Sequence, residues 1–256
     1  MTNLFDLTGS RAIVTGGTRG IGFAIVETFL KNGASVALFG SRQETVDKAL
    51  AKLKAENPDW DVIGMAPDLT DYAAVDAAMA KVTEAFGRID ILVNNAGILF
   101  TQCTVENLTA ERINRVLSTN VTGYFLCCRE AVKRMALKNG GSGGAIVNVS
   151  SVASRLGSPG EYVDYAASKG AIDTLTTGLS LEVAAQGIRV NCVRPGFIYT
   201  EMHASGGEPG RVDRVKSNIP MQRGGQAEEV AQAIVWLLSD KASYVTGSFI
   251  DLAGGK

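Results

Sequence analysis

The sequence contains few of the residues from which metal sites, disulfide frameworks and nucleic-acid-binding surfaces are built. Its 256 residues include one histidine and four cysteines, Cys103, Cys127, Cys128 and Cys192, which form no CxxC pair. We therefore expect no His/Cys metal cluster and a protein with reduced thiols. Because 26 acidic residues balance 25 basic ones, the excess positive charge of a nucleic-acid-binding surface is also lacking.

Long hydrophobic runs are lacking as well. No stretch approaches the ~18 apolar residues that a membrane span requires, and the first residues have neither the cationic segment nor the apolar run of a secretion signal. These absences predict a cytoplasmic protein without a membrane partner. The sequence is instead 46% hydrophobic with 29 glycines, so it has enough apolar residues for a core. Its glycines predict tight backbone turns.

Short runs rich in β-formers alternate with amphipathic helical patterns along the chain, which is typical of a parallel sheet covered by helices. The predicted strands are residues 11–15, 35–39, 61–65, 89–93, 145–149, 188–193 and 248–252. The predicted helices are residues 21–31, 43–55, 71–86, about 109–137, about 164–186 and about 226–239. We therefore predict an α/β fold, residues 1–256 in a single domain, with a doubly wound parallel sheet of about seven strands and helices on both faces. Residues 201–220 are predicted to be an irregular insertion that forms a substrate lid.

A glycine-rich turn follows the first predicted strand and opens the first helix. Gly16, Gly20 and Gly22 are spaced G-x3-G-x-G, which permits close backbone approach and directs a helix N-terminus at a pyrophosphate. A plain tight turn would use the same glycines. The segment Asn94-Asn-Ala-Gly97 follows the fourth strand, at the edge where a parallel sheet presents its ligand crevice. Its asparagines are also suited to bracing neighbouring backbone groups.

Tyr165 and Lys169 are one helical turn apart, so their side chains are expected to share a face. A free phenol has a pKa near ~10, and one ammonium at ~4 Å in an effective dielectric of ~20 contributes about 4 kcal/mol. The lysine is therefore expected to lower the pKa of Tyr165 enough to make it a base near neutral pH. Tyr162 has alanine at the corresponding position, so we do not expect it to be the base.

Taken together, these motifs resemble the short-chain dehydrogenase/reductase family over nearly the whole chain. The glycine turn, N-N-A-G, a helical Asn120, Ser151, Tyr165-x3-Lys169 and Pro195-Gly196 occur in the family's order. The resemblance implies a Rossmann fold and reversible hydride transfer between a nicotinamide cofactor and a secondary alcohol or ketone. The first ~95 residues are most similar to bacterial bile-acid 3α-hydroxysteroid dehydrogenases. The remainder is more similar to a bacterial sugar-dehydrogenase-like oxidoreductase. Whether the chain is natural or recombined from two sources is therefore open at this stage.

The resemblance also implies a role for each catalytic residue. Tyr165 would exchange the proton, Lys169 would bind the nicotinamide ribose, and Ser151 would hold the substrate oxygen. Ser150 is the neighbouring alternative, although strand alternation sends the two side chains opposite ways. Asn120 would hold a water that relays protons to Lys169, or would be a core amide satisfied by the backbone.

Cofactor contacts are implied along the whole carboxyl edge of the sheet. The expected residues are Gly16, Thr18, Arg19, Gly20, Ile21, Gly22, Ser41, Arg42, Asp68, Leu69, Asn94, Ala96, Gly97, Tyr165, Lys169, Pro195, Gly196, Ile198 and Thr200. NADP(H) is favoured, with NAD(H) as the alternative, because Gly40 stands where NAD-using members carry an acidic residue. Arg19 and Arg42 are then available for a 2′-phosphate.

Several interpretations remain open at this stage. Ser41 is predicted to cap the second helix together with Glu44, and Asp68 either contacts adenine or accepts hydrogen bonds in a local turn. His203 is predicted to be an exposed lid residue. The substrate is a sugar, a hydroxysteroid or a 3-oxoacyl thioester, and a cofactor-binding sensor or scaffold without turnover is the alternative function. A homotetramer formed through the two long helices is expected from the resemblance.

Overall fold

The computed structural model describes residues 5–256 and contains all seven predicted strands. These are β1 (Arg11–Thr15), β2 (Ser35–Phe39), β3 (Val62–Met65), β4 (Ile91–Asn94), β5 (Gly144–Val149), β6 (Ile188–Pro195) and β7 (Phe249–Leu252). They form one parallel sheet in the order β3-β2-β1-β4-β5-β6-β7. The predicted doubly wound fold is therefore confirmed. Its strand order reverses between β1 and β4, where sheets of this kind open a ligand crevice.

Helices cover both faces of the sheet. They are α1 (Gly20–Lys31), α2 (Gln43–Glu56), α3 (Tyr72–Phe86), α4 (Ala110–Leu117), α5 (Gly123–Met135), α6 (Ala153–Leu156), α7 (Val163–Val183), α8 (Met202–Ser205), α9 (Arg211–Val215) and α10 (Ala227–Leu238). One core lies between the sheet and α1, α2 and α10. A second core lies between the opposite face and α3, α5 and α7. Because every central strand is buried on both sides, these strands appear in the sequence as continuous apolar runs.

The predicted helix 109–137 is interrupted in the structure. A single π-helical turn, Ser118–Thr122, separates α4 from α5. Its sequence, Ser-Thr-Asn-Val-Thr, consists of residues with low helix propensity. Wide turns of this kind are often found at functional sites, and this one contains Asn120.

Two local predictions are wrong. Residues 201–220 are not irregular, since they contain α8, α9 and a short 3₁₀ turn, Lys216–Asn218. The predicted cap by Ser41 and Glu44 is also incorrect, because α2 begins at Gln43 and its N-cap residue is Arg42. Ser41 lies one position too early to cap this helix. Among residues 5–256, no helix has the length and apolar composition needed to cross a bilayer.

Candidate active site

The glycine-rich turn lies between β1 and α1 at the carboxyl edge of the sheet. Gly16 and Gly20 have φ values of 66° and 53°, a region that glycine adopts without strain. A Cβ on Gly22 would lie 2.0 Å from the carbonyl oxygen of Gly16. Asn95 braces the turn, since its Nδ2 donates to the carbonyls of Thr15 and Gly16 at 3.0 and 3.1 Å. The turn is therefore a rigid cradle at the start of a twelve-residue helix.

A crevice of about 480 Å³ extends from this turn across the ends of β1, β2, β3 and β4. Its wall includes most of the residues expected to contact a cofactor in this half of the chain. They are Gly16, Thr18, Arg19, Gly20, Ile21, Gly22, Ser41, Asp68, Leu69, Ala96, Gly97 and Thr200. Gly40 and Asn95 also line it. So do Phe39, Thr119 and Glu201, which the sequence did not single out.

The structure places Asn94 away from this crevice. Its side chain is fully buried, and Nδ2 donates to Oδ1 of Asn148 at 3.0 Å and to Sγ of Cys128 at 3.2 Å. The next residue, Asn95, faces the crevice instead. Consecutive residues at the end of a strand point to opposite faces, so only one asparagine of the pair can reach a ligand.

The residues expected to select the cofactor occupy different positions. Arg19 is exposed and lines the crevice, whereas Arg42 is exposed and lies outside its wall. A Cβ on Gly40 would lie 2.6 Å from Cγ2 of Val46 and 2.7 Å from Cγ2 of Thr18. Packing against Val46 and Thr18 therefore favours glycine at position 40, whatever the ligand. Asp68 accepts hydrogen bonds from the backbone N–H and the hydroxyl of Thr70, and these lower the pKa of its carboxyl.

A second cavity, of about 140 Å³, adjoins the crevice. We call it the substrate-side cavity. Five residues line both: Ile21, Asn95, Gly97, Thr200 and Met202. The expected residues Ser151, Tyr165, Lys169, Pro195, Gly196 and Ile198 lie in its wall. Leu99, Val152, Leu156, Tyr162 and Phe197 make much of the remaining wall apolar. The structure thus brings three of the four predicted catalytic side chains, Ser151, Tyr165 and Lys169, into one cavity beside the glycine cradle, whereas Asn120 does not line it.

Burial dominates the chemistry of Tyr165. It raises the pKa of this phenol to about 12, and a hydrogen bond with Ser151 opposes the shift. The Lys169 ammonium lies 5.7 Å from the centroid of the Tyr165 ring. The expected depression of the phenol pKa by Lys169 is therefore not found, because burial disfavours the phenolate more than the ammonium stabilises it.

Lys169 is held by two hydrogen bonds to groups other than Tyr165. Its Nζ donates to the carbonyl of Val149 at 2.7 Å and to the hydroxyl of Tyr124 at 3.3 Å. Burial lowers the pKa of Lys169 to about 8. Tyr124 is a contact that the sequence analysis missed, because it comes from α5, 45 residues earlier in the chain.

The two neighbouring serines face different groups, as strand alternation predicts. Ser151 contacts Tyr165, whereas the hydroxyl of Ser150 donates to the carbonyl of Lys169 at 3.1 Å. Asn120 is fully buried beside Gly97, and its Oδ1 accepts from the N–H of Ile98 at 2.8 Å. Its Nδ2 donates to the carbonyl of Ile98 at 3.1 Å. The amide is thus satisfied largely by backbone groups.

His203 is not the exposed residue that the sequence predicted. It is half-buried on α8 and lines the substrate-side cavity, with Nε2 2.9 Å from the carbonyl of Ile198. Burial lowers its pKa below the usual value of 6.5. Two residues of the short helix α8, Met202 and His203, line this cavity. Arg211 at the start of α9 lies in the same wall and is only 7% exposed.

Comparison with known proteins assigns the chain to a family. The family model described as enoyl-(acyl carrier protein) reductase matches residues 16–256. The chain belongs to the short-chain dehydrogenase/reductase family, whose members are NAD(P)-dependent oxidoreductases. A crystal structure of a short-chain type dehydrogenase/reductase from Mycobacterium marinum has a TM-score of 0.91 and 32% identity, and covers 98% of this chain and 97% of its own.

Two curated relatives are similar along the chain. An uncharacterized oxidoreductase of Escherichia coli is 75% identical over 245 residues, which covers 96% of this chain and 99% of the relative. A 3α-hydroxysteroid dehydrogenase of Mediterraneibacter gnavus is 47% identical over 244 residues, 95% of each. Each alignment extends through both of the parts that the sequence motifs distinguished.

Proposed function

We propose that this oxidoreductase transfers hydride reversibly between NADP(H) and a secondary alcohol or ketone, with Ser151, Tyr165 and Lys169 at the reacting carbon. The observation that carries the proposal is that these three side chains line one cavity that adjoins the glycine-lined crevice. The cavity combines apolar side chains with polar groups, and the polar groups Ser151 and Tyr165 are placed to orient the substrate oxygen.

The residues of the crevice fit a dinucleotide. The glycine cradle leaves no room for a Cβ at Gly16 or Gly22, so backbone N–H groups and the α1 N-terminus are free to approach a pyrophosphate closely. Pro195, Gly196, Ile198 and Thr200 would flank the nicotinamide. When bound, that ring supplies or accepts the hydride.

Tyr165 and its neighbours handle the proton. With a pKa of about 12 the phenol stays protonated at neutral pH, so it is suited to donating a proton to the substrate oxygen as a ketone is reduced. Ser151 hydrogen-bonds the same oxygen, and the charge of Lys169 stabilises negative charge that develops on Tyr165. The Nδ2 of Asn120 already donates to Ile98 and Ser168, so a relay water is proposed to donate to its Oδ1, which lies near Gly97 as Lys169 does.

The decisive measurement is oxidation of NADPH and NADH by a panel of ketones that includes sugars, keto-bile acids and acetoacetyl thioesters. Loss of reduced-nicotinamide absorbance with one class identifies the reaction and narrows the substrate. Cofactor binding without turnover of any ketone would instead establish a sensor or scaffold.

NADPH is predicted to be preferred over NADH by about tenfold or more in kcat/KM. One charge-assisted bond from Arg19 contributes about 1.5–3 kcal/mol, and a tenfold preference requires only ~1.4 kcal/mol. Arg19→Ala should narrow the ratio more than Arg42→Ala, since only Arg19 lines the crevice. Ser41→Asp should reverse it by repelling the 2′-phosphate. Gly40→Asp would confound the result, because its Cβ meets Val46 and Thr18. A tenfold preference of the unmodified protein for NADH would contradict the assignment.

We also propose that the protein is cytoplasmic and that residues 201–220 form the substrate lid of its single domain. For its assembly we propose a homotetramer. Phe125 on α5 and Leu181 on α7 are exposed large apolar side chains, 51% and 79% accessible. Pairing of these helices with a second copy would bury them. Light scattering at micromolar concentration should report four copies, and a monodisperse monomer would exclude this assembly.

A further inference from the structure

Two buried nitrogen atoms of the substrate-side cavity wall have no hydrogen-bond partner. Among residues 5–256, only three buried side-chain N or O atoms are unpaired: Nη1 of Arg211, Nδ1 of His203 and Oδ1 of Asn94. The first two belong to residues that line the same cavity as Tyr165. A buried polar group left unpaired costs about 1–3 kcal/mol. Two such groups in one cavity therefore mark a place where a polar ligand group, or the water that it displaces, pairs with them.

Arg211 is fixed by its surroundings and offers a donor. Its Nη2 pairs with the carboxylate of Glu161. The guanidinium carbon lies 4.8 Å from the ring centroid of Tyr162 and 5.5 Å from that of Phe197. Nη1 is 3.9 Å from the nearest oxygen of Glu208, which is too far for a hydrogen bond. The N–H groups on Nη1 are thus available to an acceptor.

His203 offers a hydrogen-bond acceptor. Its Nε2 lies 2.9 Å from the carbonyl of Ile198, and because a carbonyl only accepts, Nε2 must carry the hydrogen. Burial and the positive charge of Arg211 lower the pKa of His203, so the ring is neutral at pH 7. Nδ1 is then a bare lone pair that requires a donor.

Charge balance distinguishes between possible ligand groups. Arg211, which lines the cavity, and Arg214, which does not, form ion pairs with Glu161 and Glu208. The positive charge of Arg211 is therefore already balanced. A substrate carboxylate would add an unbalanced negative charge and would face the lone pair of Nδ1. A hydroxyl group carries no charge, accepts one hydrogen bond and donates another.

From these contacts we infer that Arg211 and His203 bind a second hydroxyl group of the substrate, away from the carbon whose oxygen Tyr165 contacts. The substrate is then a neutral hydroxyketone or the corresponding diol. This inference rests on the proposed hydride transfer for the position of the reacting carbon. Arg211 Nη1 donates to the hydroxyl oxygen, and the hydroxyl donates to Nδ1 of His203.

The test compares matched ketones with NADPH as the reductant. Each positional isomer of hydroxycyclohexanone is measured beside the ketone that carries a methyl group at the same carbon. Since methyl and hydroxyl are nearly equal in size, the ratio of the two kcat/KM values isolates the hydrogen bonds. We expect one hydroxyl isomer to exceed its methyl partner by about 100-fold or more, because sites that bind a hydroxyl reject analogues that lack it. The corresponding ketone with a carboxylate should be a poor substrate.

Three variants assign that ratio to the proposed residues. His203→Leu should reduce it to below about tenfold, since the acceptor is lost. Arg211→Lys keeps a positive charge beside Glu161 but lacks the second guanidinium nitrogen, and should also reduce it. Arg214→Lys is the matched control, because Arg214 shares the ion pairs without lining the cavity, and should retain the ratio. Retention of the full ratio in His203→Leu would overturn the inference.

Binding measurements separate this inference from the proposed reaction. In the Tyr165→Phe variant, where hydride transfer is expected to be slow, quenching of nicotinamide fluorescence reports ketone binding to the NADPH complex. If the hydroxyl isomer binds preferentially but is not reduced by the unmodified protein, the proposed reaction fails and the hydroxyl site stands. If hydroxyl and methyl ketones are reduced and bound equally well, within about threefold, the hydroxyl site is excluded and the reaction stands.

Discussion

Tyr165→Phe is expected to lower kcat/KM for ketone reduction by about 10²–10⁴-fold, the contribution typical of a positioned proton donor. The ring, its buried position and its contact with Lys169 are retained, so only the hydroxyl beside Ser151 is lost. The Kd for NADPH, measured by fluorescence titration, should change less than about twofold. Undiminished turnover in this variant would remove Tyr165 from the reaction.

Tyr162→Phe provides the comparison for this result. Tyr162 lies in the same wall, but its hydroxyl donates to the carbonyl of Gly206 at 3.1 Å and therefore supports the lid. We expect kcat/KM to fall less than about tenfold, the effect of one lost hydrogen bond. A larger loss in Tyr162→Phe than in Tyr165→Phe would exchange the two assignments.

Gly22→Ala is expected to weaken cofactor binding by about 100-fold or more, which corresponds to about 2.7 kcal/mol. The new Cβ would lie 2.0 Å from the Gly16 carbonyl oxygen and 2.5 Å from Nδ2 of Asn95. The turn or the start of α1 must therefore move, and with it the backbone that faces the pyrophosphate. Overpacking of this kind should also lower the free energy of unfolding by about 1–3 kcal/mol. Titration with NADPH and thermal unfolding measure the two effects.

Gly178→Ala is the control for this substitution. Gly178 is also helical, on α7. Within the described chain, no heavy atom outside its two neighbours and the backbone of its own helix lies within 4 Å of the position its Cβ would take. We expect unchanged cofactor affinity and a stabilisation of about 0.5–1 kcal/mol from the better helix propensity of alanine. Equal loss of NADPH affinity in both variants would show that the cradle geometry at Gly22 is not what the cofactor requires.

The sheet could be predicted from the sequence because its strands are continuous apolar runs between helical patterns, and β1 and β2 agree with their predicted bounds. The proximity of Tyr165 and Lys169 could also be predicted from the sequence, since both lie on one helix, which fixes their spacing. The pKa values of Tyr165 and Lys169 could not be predicted from the sequence. The partners of Lys169 are Tyr124 and Val149, which only the folded chain brings to it, and burial of Tyr165 depends on the whole cavity.

Elements without a strong pattern were the ones that the sequence did not predict. The helices α8 and α9 are only four and five residues long, which is too short for periodicity to be visible. For this reason His203 was expected to be exposed. The difference between Asn94 and Asn95 depends on where β4 ends. A one-residue uncertainty in that boundary exchanges the two side chains between the core and the crevice.

The buried contact between Asn94 and Asn148 has a consequence for how the site is aligned. The two residues are directly paired across β4 and β5, and Nδ2 of Asn148 donates in turn to the hydroxyl of Thr176 on α7 at 3.0 Å. Slippage of either strand by one residue would leave these amides against apolar neighbours. The polar pair therefore fixes the strand register, and it keeps the end of β4, with Asn95, level with the end of β5, with Ser151. The alignment of the crevice with the substrate-side cavity thus depends on a pair of buried asparagines that contact neither cavity.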